Sequence, residues 1–119
     1  MSNRTDNWIA GYRAAWESND VEDIRALFTD DATYLTAPFR EPWTGSDGIV
    51  SGWLEARDEP GAAAFSWELL GESGDRAFVQ GKTEYRDAET YSNLWVIDFA
   101  EDGRASAFTE WWMEHPAPA

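Results

Sequence analysis

Trp8, Tyr12 and Trp16 recur at i, i+4 and i+8, so three large aromatic rings fall on one face of a first helix over residues 5–18. The segment from Asn19 to Gly45 leaves that face little choice of partner. Val21, Ile24, Leu27 and Phe28 give a second helix over 20–29 an apolar stripe, and Asn19-Asp20 can cap its start. The turn between the two permits only a tight helical hairpin. Asp30-Asp31 then ends the helix, and the alternation after it predicts a strand over roughly 32–39. Residues 40–45 form a bend whose Trp43 can fold over whatever the helices enclose.

Ser46 is a suitable N-cap for a third helix, in which Ile49, Val50, Trp53 and Leu54 form the apolar face before the run at 57–61 ends it. The remaining chain reads as a meander of four strands, with turns at 71–75, near 87–89 and at Glu101-Asp102-Gly103. Helices followed by hairpins is an α+β pattern. On a strongly bent sheet the helices would cover the concave side and leave a conical pocket.

Strand parity decides which side chains meet there. In the second meander strand Val79, Gly81, Thr83 and Tyr85 are expected inward; in the third, Asn93, Trp95, Ile97 and Phe99 oppose Leu94, Val96 and Asp98. Both faces of that strand are partly apolar, which predicts a second cover, most simply another copy of the chain in a homodimer. In the last strand Phe108 and Trp112 facing inward would carry Glu110 with them. Among aromatic rings its carboxyl would be desolvated and suited to carrying a proton. The alternatives are that it lies wet near the strand end or pairs with Arg40 or Arg104.

Composition narrows the partners. The 119 residues suffice for one domain over 1–119, with a short disordered tail expected at 115–119. Eight tryptophans exceed what so small a core needs, so some should line a cavity or an interface. A net charge of -14 argues against nucleic acid and anionic membrane as partners. The same acidic, lysine-poor surface suits either a salt-rich cytoplasm or an ordinary acidic protein. There is no cysteine, no apolar leader and no run of roughly 20 apolar residues, which points to the cytoplasm. His115 stands beside Pro116 and is expected to be solvated, so neither a serine triad nor a histidine metal cluster is available, and no metal or cofactor is expected.

The ordered series AAWESNDVEDIRALFTDDATYLTAP, EPWTG and SerAspGlyIle resembles the NTF2-like superfamily, in its branch of SnoaL-like polyketide cyclases and ketosteroid isomerases. The resemblance runs through nearly the whole chain. It implies an NTF2-like (cystatin-like) cone, three N-terminal helices packed on a strongly curved mixed sheet with an internal pocket, and dimerisation through the outer sheet face. It also implies a role for Tyr12, which matches the tyrosine that donates a hydrogen bond to the enolate oxygen in the isomerases. The plainer reading is that Tyr12 stacks between Trp8 and Trp16 as core. Pocket-lining residues expected beside Tyr12 and Glu110 are Trp8, Trp16, Tyr34, Thr36, Trp43 and Trp53 from the first half, and Thr83, Tyr85, Asn93, Trp95, Phe108 and Trp112 from the second.

Two isomerase positions depart from the pattern. The base aligns with Thr36, whose hydroxyl takes up no proton at useful pH, and the second oxyanion donor aligns with Trp95, a weaker N–H donor. The Arg-x-Asp pair of the related epoxide hydrolases is also missing from Gly81, Thr83, Tyr85. What remains is a one-acid scheme with Glu110 as acid or base, suited to isomerising or cyclising a small apolar ketone or polyketide-like ligand. A ligand binder without turnover and a protein-interaction module are the other two readings.

Overall fold

In a computed structural model of the chain, residues 3–37, 39–56, 63–86 and 89–115 are described. They form helix α1 (Asn3–Ser18), helix α2 (Val21–Arg25), strand β1 (Phe28–Leu35), the short strand β2 (Trp43–Thr44), helix α3 (Gly45–Glu55), and strands β3 (Ala63–Ser73), β4 (Arg76–Tyr85), β5 (Thr90–Phe99) and β6 (Ala105–Glu114). One six-stranded sheet runs in the order β2-β1-β6-β5-β4-β3. Its β1–β6 pair is parallel and the rest are antiparallel. Register slips at Leu69/Gly71 in β3, at Ser106 in β6 opposite Asp98/Phe99, and at Phe28/Thr33 in β1 supply the irregularities that bend such a sheet. No helix among the described residues is long and apolar enough to cross a membrane.

The first helix folds as its spacing predicts and is pinned at its start. Arg4 reaches Asp75 (3.1 Å) and the Gly74 carbonyl (3.2 Å) in the β3–β4 turn, and its guanidinium lies 4.5 Å from the Phe99 ring centre. Asp20 caps α2 by accepting from the backbone N–H of Glu22 and Asp23. That helix is shorter than its apolar stripe suggests, ending at Arg25, and Phe28 opens a strand instead. The reason is tertiary. The Leu27 carbonyl accepts from the Trp8 indole (2.8 Å) and from the Ala105 backbone N–H (2.7 Å), so helix and sheet claim it together.

Three further expectations shift. Asp30-Asp31 do not stop a helix but lie inside β1, where its register with β6 slips. Thr44, not Ser46, is the N-cap of α3; Ser46 instead accepts from Arg25 (2.9 Å). His115 is no free tail residue: its backbone donates to Thr90 (2.8 Å) and its ring Nε2 meets the Ser92 hydroxyl (2.7 Å). The expected helix stop at 57–61, the residues 87–88 of a turn, and residues 116–119 of the tail lie outside the described residues.

Parity falls as expected. Val79, Gly81 and Thr83 of β4, and Asn93, Trp95, Ile97 and Phe99 of β5, are buried, whereas Gln80, Lys82 and Glu84 are exposed. The core gathers under α1, where Trp8, Ile9 and Ala15 meet Ala77, Val79, Ile97, Phe99 and Phe108. On the opposite face Leu94 and Val96 are half-buried, while Trp111 and Met113 are open to solvent.

Candidate functional site

Beyond the solid part of the core, the sheet and the helices separate around a cavity of about 480 Å³. Helix α1 supplies Tyr12 and Trp16, α3 supplies Trp53, β1 supplies Tyr34, and β4 to β6 supply the floor. Two close approaches shape the walls. Gly52 has no side chain because the Trp43 indole occupies the space a Cβ would need, and this lets Trp43 stack on Tyr34 at 4.7 Å. A Cβ on Gly81 would come 2.7 Å from the Phe65 ring, which crosses β4 there to stack on Trp95 at 4.9 Å.

The hydroxyls of Tyr12 and Tyr34 meet at 2.8 Å inside the cavity. One donates to the other, so one phenol proton is left to offer elsewhere. Burial pushes the Tyr12 phenol well up, and Tyr34 and Glu110 push it further in the same direction. Tyr34 is raised by burial and by Glu110, against the opposing hydrogen bond from Tyr12. Both are neutral donors across the physiological range.

Glu110 comes from β6 into the same cavity. Its Oε2 accepts from the Asn93 amide (2.6 Å) and, more weakly, from the Trp95 indole (3.3 Å), and Asn93 is oriented in turn by the Thr83 hydroxyl (2.8 Å). Each link follows from the register, which sets Trp95 opposite Glu110 and Thr83 on the inward face one strand away. Burial raises the Glu110 carboxyl above its ordinary value, and the Trp95 and Asn93 donors only partly offset this. Among the described residues no cation pairs with it.

A SnoaL-like domain model matches residues 9–115. The chain belongs to the SnoaL-like domain family. No curated protein matches it in sequence. Among solved structures this SnoaL-like chain is similar to a Kribbella flavida protein provisionally named a ketosteroid isomerase (22% identity, TM-score 0.73, covering 99% of this chain and 84% of that one). It is also similar to a Sinorhizobium meliloti protein provisionally named a polyketide cyclase (22% identity, TM-score 0.67, 92% and 100% covered). A third likeness is to an NTF-2 like protein of unknown function from Burkholderia xenovorans (15% identity, TM-score 0.74, 97% and 88% covered). At such identities these likenesses show the fold alone: an NTF2-like, cystatin-like α+β architecture on a curved mixed sheet.

Within the SnoaL-like fold the expected site residues divide. Tyr12, Trp16, Tyr34, Thr36, Trp43 and Trp53 reach the cavity, as do Thr83, Tyr85, Asn93, Trp95, Glu110 and Trp112. Trp8 and Phe108 do not line it. They are 5% and 1% exposed and stacked on each other at 5.7 Å, so both belong to the packed core. Neither arginine suggested for Glu110 reaches it: Arg104 pairs with Asp102 at 2.8 Å, and Arg40 lies over Phe39. Ala56, Glu89 and Tyr91 line the cavity as well, beyond the residues expected from the sequence. Tyr91 continues the inward parity of Asn93 and Trp95, a signal present in the sequence; Glu89 and Ala56 stand at element ends, where parity says nothing. No group of three or more His, Asp or Glu among the described residues is placed to hold a metal.

Proposed function

We propose that this SnoaL-like domain binds a small, mainly apolar ketone or polyketide-like molecule in the aromatic cavity and isomerises or cyclises it. The free phenol proton of the Tyr12–Tyr34 pair donates to the ligand's carbonyl oxygen, and Glu110 moves the proton. In the isomerising version a Glu110 oxygen takes a proton from the carbon next to the carbonyl. The C–H electron pair becomes an enolate held by the phenol, and the proton returns at another carbon. Tyr34 thereby takes part of the role that the family resemblance gives to Tyr12 alone.

The observation that carries this reading is the state of Glu110. Its Oε2 is held by two N–H groups and no described residue donates to Oε1, so one carboxyl oxygen remains for a substrate proton. Glu110 is half-buried and lines the cavity, so that oxygen is reachable by a ligand rather than sealed in the core. The isomerase and cyclase names of the similar proteins favour the same chemistry. Glu110→Gln tests it: turnover of an enolisable cyclic ketone should fall by at least about a hundredfold with affinity retained. Equal turnover in the variant would remove Glu110 from the mechanism.

A second reading, binding without turnover, draws on Thr36, which stands in the cavity where the resemblance places a base. Binding of such ketones with no proton exchange at their α-carbon would favour it. In either case we infer a homodimer through the outer sheet face, supported by the exposure of Trp111 and Met113 beside Leu94 and Val96. Sedimentation of wild type as a monomer at micromolar concentration would rule that assembly out.

A further inference from the structure

The described part of the cavity wall is one-sided in charge. Of the described residues lining it, nine are Trp or Tyr, two are glutamates and none is basic. Among the described lining residues an anionic ligand would find no cation to pair with. Aromatic faces carry the negative end of the ring quadrupole and attract cations, most strongly where several rings surround one position.

Three of these rings cluster on one part of the wall: Tyr91 makes near-perpendicular edge contacts with both Tyr85 (centres 5.9 Å apart, 89°) and Trp112 (5.9 Å, 82°). Trp112 is 47% exposed, which leaves its face accessible to an incoming group. Glu89 lines the same cavity. The Tyr91 phenol is raised by desolvation first and then by Glu114 and Glu89, so both carboxylates bear on this ring. The net charge of -14 adds a long-range field of the same preference.

We propose that the natural ligand carries a quaternary or protonated amine, held among Tyr85, Tyr91 and Trp112 beside Glu89, with its apolar body directed inward to the Tyr12–Tyr34 pair. This rests on the reading of the cavity as a small-molecule site and adds the charge class of its ligand. The ring cluster recognises the cationic end by its accessible faces and one carboxylate. The inner cavity recognises the rest by area and by one hydrogen bond.

Calorimetric titration with (3-hydroxyphenyl)trimethylammonium and its neutral carbon isostere 3-tert-butylphenol separates the outcomes, because the pair differs in charge and hardly in shape. At roughly 0.3 M salt, where the long-range field is screened within a few ångströms, the cation should bind about tenfold tighter or more. Glu89→Gln, an exposed change that leaves folding intact, and Tyr91→Leu should each shrink the ratio of the two affinities. If the isostere binds as well as the cation or better, the ligand is not cationic and the apolar-pocket reading stands. If neither binds, both readings fall. A preference for the cation that both variants leave unchanged would also overturn the proposal, since the charge would then be read elsewhere.

Discussion

One face of α1 serves two regions that behave oppositely. Trp8, near its start, is enclosed by Phe28, Phe99 and Phe108 at ring separations of 5.7–6.3 Å, and its single polar atom is satisfied by the Leu27 carbonyl. Tyr12, one turn later, stacks on Phe108 and meets Trp95 at a tilt, but puts its hydroxyl into the cavity. Trp16, a further turn on, is half-buried on the cavity rim. Solid core, threshold and opening thus succeed one another at a spacing of four residues. The difference lies in what faces each ring across the sheet: apolar side chains of β1, β5 and β6 at one end, and the Thr83–Asn93–Glu110 hydrogen-bond series at the other. The packed core is concentrated in the first region, and the groups to which the proposal gives a chemical role stand in the second.

The sharpest way to break this contrast is at Trp8. Trp8→Ala should cost about 3–5 kcal/mol in denaturant unfolding, the range for emptying a large aromatic site in a core. Trp16→Ala should cost clearly less, since its ring is already partly in water; equal losses would mean that the two ends are packed alike. Gly52→Ala comes next. Its new methyl must displace Trp43 from Tyr34, so stability should fall by about 1–3 kcal/mol, with Trp43 fluorescence altered in a background lacking other rim tryptophans.

Glu110→Gln should act through pH. Because burial raises the folded-state pKa of Glu110 above its ordinary 4.5, the folded protein holds the proton more tightly than the unfolded chain does. The contribution of Glu110 is therefore fully present below that ordinary value and is lost as pH rises through the folded pKa. The stability of wild type relative to the Gln variant should decline over that window and then level off. A flat difference would place Glu110 in water-like surroundings. Smallest of all, Arg76→Ala should leave the unfolding midpoint nearly unchanged, because its pair with Asp98 (2.6 Å) is exposed on the outer face of the sheet.

Much of this contrast is legible in the chain itself, and the residues that are not share a cause. Parity places Thr83, Asn93, Trp95 and Glu110 together because a period of two leaves no ambiguity about faces. The 3.6-residue period likewise puts Trp8, Tyr12 and Trp16 on one side of α1. Periodicity fixes direction, however, and not depth, so it points Trp8 and Phe108 toward the cavity although both end in solid core. The helical stripe of Leu27 and Phe28 misleads for a related reason. Local propensity favours a longer α2, but the Leu27 carbonyl is taken by Trp8 and Ala105, partners far away in sequence. Asp30-Asp31 have the look of a helix stop, yet a register slip in β1 carries them, a feature that only pairing with β6 reveals. Sequence reasoning gives Tyr34 a place in the lining and nothing more; its hydroxyl contact with Tyr12 depends on the relative placement of α1 and β1, which no local pattern encodes.

The proposed chemistry depends most on a carboxylic acid that shares an aromatic-walled cavity with two phenols. The direct measurement is a carbon-detected NMR titration of the Glu110 side-chain carboxyl in the folded protein. The expected midpoint lies clearly above 4.5 and moves further up in Asn93→Ala, where a donor to Oε2 is lost. A midpoint at or below that value would show a well-solvated or ion-paired carboxylate and contradict the proposed chemistry.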